Sequence, residues 1–133
     1  ATADLPDSAD RVRATAHQGL ALVQRWLADE RFAAARLAVL TRDAVRTGPA
    51  DRPVDPAQAA LWGLVRSARA EHPGRLVLID AAGTGEPADT DTLSAALAAG
   101  EPELALRTGP PLLPRLVRGG RADGTLSLPD GAA

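Results

Sequence analysis

The sequence predicts an α/β fold, in which a small, mainly parallel sheet has covering helices and an antiparallel edge strand. Two short and nearly continuous apolar runs, RLAVLT at 36–41 and RLVLID at 75–80, are typical of strands buried on both faces of a sheet. The segment between them has apolar residues at helical spacing. A strand, a crossover helix and a second strand form a right-handed parallel unit in nearly all known cases, which predicts a parallel centre for the sheet.

The first predicted helix occupies residues 8–29. Asp7 or Ser8 is a suitable N-cap, because both side chains accept hydrogen bonds from the free amides of a first helical turn. Apolar residues recur every three or four positions along the helix, which predicts a single buried stripe. The stripe consists of Val12, Ala16, Leu20, Val23, Trp26 and Leu27.

The second predicted helix, at 55–72, follows a long loop rich in glycine and proline at 42–54. Asp55 is a good N-cap, and Pro56 suits the first helical position because an N–H there has no partner within the helix. Gln58 is placed to close a capping box. The apolar side of this helix consists of Leu61, Trp62, Leu64, Val65 and Ala68.

The same alternation continues with a third predicted helix at 90–99, closed by Gly100, and a strand at 103–107. Residues 112–117 are predicted to return as the antiparallel edge strand, where Pro114 is tolerated because one side of an edge strand has no ladder partner. The predicted organisation is a lead-in linker at 1–7, one domain at 8–118 and a second linker at 119–133.

The composition excludes several classes of function. The 133 residues suffice for one domain, and no apolar run approaches the roughly 20 residues that span a bilayer, so we expect a cytoplasmic protein with no membrane partner. The net charge of −2 and the presence of only three aromatic residues argue against nucleic acid as a partner. Without cysteine, lysine or tyrosine the chain lacks thiolate, Schiff-base and phenolic catalysis.

One loop matches a nucleotide-binding motif. The sequence GTGEPA at 83–88 fits G-x-G-x-x-A, with Gly83 and Gly85 as its glycines, and it lies between a predicted strand and a predicted helix. However, Glu86 places negative charge where a pyrophosphate would bind, and Pro87 interrupts the turn. The interpretation that we favour is a solvated loop that binds no cofactor.

The other polar candidates fit structural roles better than catalytic ones. His17 and His72 lie on separate helices at no spacing typical of metal ligands, so no metal site is predicted. Ser67 lies outside a G-x-S-x-G elbow and has no neighbouring base. Trp26 and Trp62 occupy core positions of their helices. As candidates for contact with a partner we select Trp62, Arg66, Arg69 and Arg115.

The sequence AQAALWGLVRSARAEHPGRLVLID at 57–80 resembles, nearly residue for residue, a signature of modular type I polyketide synthases. Three further stretches resemble the same family and occur in the same order along the chain. They are ALVQRWLADERFAAARLAVLTRDAV at 21–45, GEPELALRTG at 100–109 and PRLVR at 114–118. Together these stretches cover most of residues 15–118.

The resemblance implies the structural subdomain of a ketoreductase, a truncated Rossmann-like unit that binds no cofactor and packs against the catalytic subdomain of the same polypeptide. It further implies a parent enzyme that uses NADPH to reduce a β-ketoacyl group on the phosphopantetheine arm of an acyl carrier protein, with neighbouring synthase domains as partners. Catalysis in that family depends on a serine, a tyrosine and a lysine, and the last two types do not occur here. The segment itself is therefore predicted to be non-catalytic.

These observations favour a scaffold that stabilises the catalytic subdomain. Two alternatives stay open: a docking module that recruits a separate protein through the helix of Trp62, and a nucleotide-binding domain that uses Gly83 and Gly85. Members of the family have strands before the first helix, whereas this chain opens almost at the helix. We therefore expect an unpaired sheet edge and marginal stability of the isolated chain.

Overall fold

The computed structural model describes residues 5–83 and 90–116 of the chain. In these ranges, helices α1, α2 and α3 occupy Leu5–Ala28, Pro56–Glu71 and Thr90–Ala98, and strands β1, β2 and β3 occupy Leu37–Arg42, Leu76–Ala81 and Glu103–Leu106. A single 3₁₀ turn, Glu30–Phe32, follows α1. No helix in the described ranges combines the length and the apolar character that crossing a membrane requires.

The three strands form one sheet in the order β1-β2-β3, and both pairs are parallel. Leu78 at the centre of β2 is the register partner of Val39 on one side and of Glu103 on the other. The predicted parallel sheet of a small Rossmann-like fold is thus confirmed.

Helices cover both faces of β2. On one face, α1 and α2 pack over a core that includes Val23, Val65 and Leu78. On the other face, α3 contributes Ala96 to a second core around Ile79. All six residues of β2 are buried, as expected for a strand covered on both faces.

Strand β1 differs from β2 because its two faces alternate in exposure. Val39 and Thr41 are buried, whereas Ala38 and Leu40 are exposed. The core under α3 draws its strand residues from β2 and β3, so this helix leaves the corresponding face of β1 uncovered. The prediction that the run at 36–41 is buried on both faces is therefore wrong.

The start of α2 follows the predicted capping in part. Asp55 accepts hydrogen bonds from the amides of Ala57 and Gln58, at 2.9 and 3.2 Å, which confirms it as the N-cap. The capping box is absent, since the Gln58 side chain accepts from the amide of Arg42 at 3.2 Å while the Asp55 amide donates to the carbonyl of Asp43 at 2.9 Å. Gln58 therefore ties α2 to the end of β1.

Helix α1 begins three residues before the predicted position 8, and its buried stripe departs from the prediction at one residue. Leu20 is 41% exposed, which overturns its placement in the core, and the preceding Gly19 is buried instead. A Cβ atom on Gly19 would overlap the side chain of Leu61. The absence of a side chain at this position lets α1 and α2 approach closely.

The predicted edge strand at 112–117 is reduced to a single bridge in the described residues, which end at 116. Leu112 and Ala105 exchange two hydrogen bonds of 2.8 Å in antiparallel orientation. The next hydrogen-bonded pair in such a ladder would join Glu103 to Pro114, and proline has no N–H to donate. The antiparallel pairing of this segment with β3 is therefore limited to the bridge between Ala105 and Leu112.

Candidate functional site

The carboxyl edge of the sheet is where a ligand is expected, because open α/β sheets bind their ligands beside the carboxyl ends of the strands. Here the edge holds two polar side chains with no exposed surface, Thr41 on β1 and Asp80 on β2. Burial of a carboxylate is costly unless hydrogen bonds satisfy it. The hydrogen-bond partners of Asp80 therefore show whether this edge is occupied by the chain itself or is open to a ligand.

Asp80 receives donors from three parts of the chain. The hydroxyl of Thr41 donates to Asp80 Oδ1 at 2.7 Å, and the amide of Ala44 donates to the same oxygen at 2.8 Å. The guanidinium of Arg107, just past β3, donates to Asp80 Oδ2 at 2.9 Å. Asp80 thus links the ends of all three strands and the loop that leaves β1.

Arg107 completes this network, and only 11% of its side chain is exposed. It donates to the backbone carbonyls of Val45 at 2.9 Å and Asp80 at 3.1 Å, and it forms an ion pair with Asp51 at 3.4 Å. We call Thr41, Asp51, Asp80 and Arg107 the carboxyl-edge network. Its charged groups find their partners within the chain, so the loop after β1 is held across the edge.

Asp51 anchors that loop in the ionised state. The amide and the hydroxyl of Thr47 donate to Asp51 at 2.6 and 2.8 Å, and these hydrogen bonds lower the pKa of Asp51 to about 2. The carboxylate is therefore negative at neutral pH and pairs with Arg107.

Gly83, the first glycine of the nucleotide-binding motif, already has an anionic partner. Its amide donates to Asp43 Oδ1 at 2.8 Å, and Asp43 adopts a left-handed backbone conformation with φ of 52°. A Cβ atom on Gly83 would overlap this carboxylate. A phosphate would have to displace the carboxylate to reach the Gly83 amide. Gly85 and the rest of the motif lie outside the described residues.

Two of the residues selected for contact with a partner line a groove. Trp62 is 9% exposed and belongs mainly to the core, whereas the side chain of Arg66, one turn later on α2, is 58% exposed. The groove has a volume of about 390 Å³, and we call it the α2–β3 groove. It is lined by Val45, Arg46, Thr47, Trp62, Arg66, Glu103, Leu104, Ala105, Leu112, Leu113 and Pro114.

Glu103, which sequence reasoning missed, organises the arginines beside this groove. Arg66 and Arg69 form ion pairs with its two carboxylate oxygens, at 3.2 and 3.3 Å. Glu103 is 7% exposed, so one buried carboxylate is shared by two guanidinium groups. Arg115 lies next to the lining residue Pro114 and pairs with Glu101 at 3.2 Å. The one signal in the sequence was an acidic residue at the start of an apolar strand.

The remaining polar candidates have the structural positions that were predicted. His17 is exposed on α1, and His72 is the C-cap of α2. The Ser67 hydroxyl donates to the carbonyl of Gly63 at 3.2 Å. Trp26, by contrast, was predicted for the core but is only partly buried and stacks on Phe32, with ring centroids 4.1 Å apart. Within the described ranges, no three potential metal ligands lie together.

Comparisons with known proteins connect this architecture to one family. Residues 1–116 match the family described as "Polyketide synthase extender module SpnB, Rossmann fold domain". The spectinabilin polyketide synthase system protein NorB of Streptomyces orinoci is 48% identical over 98% of the chain, and polyketide synthase GfsE of Streptomyces halstedii is 54% identical over 79%. Pikromycin polyketide synthase component PikAII of Streptomyces venezuelae is 44% identical over 85%. The chain spans 6%, 3% and 4% of these three proteins, respectively.

Proposed function

Since this chain belongs to the family of Rossmann-fold domains of polyketide synthase extender modules, we propose that it is a non-catalytic segment that braces a ketoreductase. The braced partner is the NADPH-dependent catalytic subdomain of the same polypeptide, which reduces β-ketoacyl groups carried on phosphopantetheine. NADPH and phosphopantetheine belong to the parent enzyme in this proposal, and the segment binds neither.

The observation that carries the proposal is the carboxyl-edge network. In a Rossmann-like fold that binds a nucleotide, this edge is open and presents free backbone amides to the phosphates. In this chain Arg107 is 11% exposed and joins Asp80 to the loop after β1. An edge whose charged groups are paired within the chain is suited to a structural role.

The described residues fit a pyrophosphate poorly. The amide of Gly83 is bound to the Asp43 carboxylate, and a bound phosphate would meet this negative charge at close range. The guanidinium of Arg52 lies 3.6 Å from the Asp43 carboxylate and is already paired with it. The nucleotide-binding alternative therefore has less support than the scaffold.

The composition supports the same proposal. Ketoreductases that resemble the proposed parent use a tyrosine and a lysine in catalysis, and the sequence contains neither. A reduction step would therefore depend on residues from another part of the parent polypeptide. The alternative of a module that recruits a separate protein through Trp62 is weakened because this indole is 9% exposed.

The experiment that tests the scaffold compares the catalytic half of the parent ketoreductase with and without this chain fused before it. We expect the fusion to raise both the rate of NADPH-dependent ketone reduction and the melting temperature of the catalytic half. A brace that contributes 2 kcal/mol would raise the melting temperature by about 4–8 °C for a unit of 150–250 residues. Equal activity and equal melting temperature without the chain would refute the proposal.

A matched control keeps the chain length constant. The same fusion carrying Arg107→Ala, which breaks the carboxyl-edge network, should lose most of the gain if bracing requires the folded segment. A fusion carrying Arg13→Ala, an exposed residue of α1 that pairs with the nearby Asp10, should keep the gain.

A further inference from the structure

We infer that the α2–β3 groove is the surface on which a neighbouring part of the same polypeptide docks, and that the docked segment is acidic and carries apolar side chains. This inference rests on the proposed function, because it names the contact surface of the brace. It specifies a groove with an apolar floor and a cationic rim, and these two features define the chemistry of the partner.

The floor of the groove is apolar and partly open to solvent. Leu112 and Leu113 are 41% and 37% exposed, and they lie opposite the 9% exposed ring of Trp62. Leu116, three residues after Leu113, is fully exposed as well. Exposed leucines that line a groove beside a tryptophan ring supply apolar contacts for a partner.

The rim of the groove carries more positive than negative charge. Arg46 donates to two backbone carbonyls, those of Gly48 and Pro49, which leave its charge unneutralised. Arg66 shares the single carboxylate of Glu103 with Arg69. The nearby acids Asp51 and Asp80 share the guanidinium of Arg107, and none of these three residues lines the groove.

The excess on the rim decides the charge of the partner. Among the residues that line the groove, Arg46 and Arg66 are positive and Glu103 is negative, which leaves one positive charge. This local excess contrasts with the net charge of −2 for the whole chain. Carboxylates of a docked segment would pair with Arg46 and Arg66, and its apolar side chains would cover Leu112 and Leu113.

The position of the groove favours a partner on the same polypeptide. Leu113 and Pro114 line the groove close to the end of the described residues. Segments that follow on the polypeptide are thereby tethered beside the groove at an effective concentration on the order of millimolar. A separate protein or a second copy of the chain would lack this advantage.

Photocrosslinking in the full-length parent synthase tests the inference. The probe is p-benzoylphenylalanine in place of Leu113, with the same probe at Leu20, an exposed residue of α1 that is 41% accessible, as the control position. We expect the probe at 113 to crosslink within the same polypeptide, to a peptide that contains Asp or Glu beside apolar residues. Arg46→Glu combined with Arg66→Glu should lower this yield at least fivefold and leave the yield at position 20 unchanged.

Three results would overturn the inference: no crosslink from position 113, a crosslink to a second molecule, or a yield that is independent of the two arginines. If the charge-reversed variant fails to fold, Arg46→Gln with Arg66→Gln serves instead, and a smaller decrease in yield is expected. If the chain stabilises the catalytic half but position 113 gives no crosslink, the groove is not the docking surface and the scaffold proposal still holds. If position 113 crosslinks but the chain does not stabilise the catalytic half, the groove is a docking surface and the scaffold proposal is wrong.

Discussion

Arginine side chains at two places in the domain bind carboxylates in different ways. At the carboxyl edge, Arg107 is 11% exposed and Asp80 is fully buried, and the guanidinium also binds two backbone carbonyls of the loop and of β2. At the α2–β3 groove, Arg66 is 58% exposed and shares Glu103 with Arg69. The first arrangement uses the donors of the arginine within the chain, whereas the second leaves donors available to a partner.

This difference separates stability from recognition. A buried ion pair is costly to break, because removal of one member leaves an uncompensated charge in a site of low dielectric constant. An exposed pair contributes little to folding, because water and salt screen it. Substitution of Arg107 should therefore lower the stability of the chain, whereas substitution of Arg66 should affect the binding of a partner and leave stability nearly unchanged.

The largest effect is expected from Arg107→Ala. The substitution leaves the buried Asp80 with its hydroxyl and amide donors but without a counter-charge, and it frees the carbonyl of Val45. We expect the free energy of unfolding of the 133-residue chain to fall by about 3–5 kcal/mol. Urea unfolding followed by circular dichroism measures this loss.

The control for this prediction is a double-mutant cycle. Asp80→Asn removes the charge of Asp80 but keeps an oxygen for the donors Thr41 and Ala44. The double variant with Arg107→Ala should be more stable than the sum of the two single effects predicts, with a coupling of about 1–3 kcal/mol. Additive effects would contradict the assignment of Arg107 as the counter-charge of Asp80.

The parts of the fold that sequence predicts well are those set by local chemistry. Asp55 followed by Pro56 defines the start of α2, and the observed helix begins at Pro56 with Asp55 as its N-cap. The apolar run of β2 predicts a strand buried on both faces, and all six of its residues are buried. Each of these features depends on residues close together in the chain.

The parts that sequence did not predict depend on contacts between distant residues. Arg107 and Asp80 are 27 positions apart, and neither carries a local motif, so their pairing becomes visible only when β2 and β3 are adjacent. The apolar run of β1 resembles that of β2, yet its exposure is decided by α3, which packs over the other two strands. Leu20 fits a helical stripe, but Gly19 is the residue buried at the close approach to Leu61 of α2, and Leu20 is exposed.

An intermediate effect is expected from Gly83→Ala, beside the carboxyl edge. The new Cβ atom would overlap the carboxylate of Asp43, which must then move away from the Gly83 amide and break their 2.8 Å hydrogen bond. We expect the free energy of unfolding to fall by about 1.5 kcal/mol, the low end for a hydrogen bond to a charged group, because this bond is exposed. Thermal unfolding of the variant measures the change.

Gly63→Ala provides the matched control, since it adds the same methyl group elsewhere. Gly63 lies in α2, where a Cβ atom would meet no other group within 4 Å. Alanine is the better helix former by about 1 kcal/mol, so this variant should be more stable than the original chain. If both glycine variants lost stability to the same extent, the contact between Gly83 and Asp43 would not explain the effect.

The smallest change in stability is expected from Arg66→Gln, at the groove. Glu103 keeps its ion pair with Arg69, whose side chain is only 20% exposed, so the buried carboxylate retains a counter-charge. The free energy of unfolding should therefore change by less than about 0.5 kcal/mol. Arg69→Gln removes the more buried partner of the same carboxylate and should cost more in the same urea titration. If Arg66→Gln destabilised the chain as much as Arg107→Ala does, both arginines would stabilise the fold. The hydrogen-bond donors of Arg66 would then not be available to a partner at the groove.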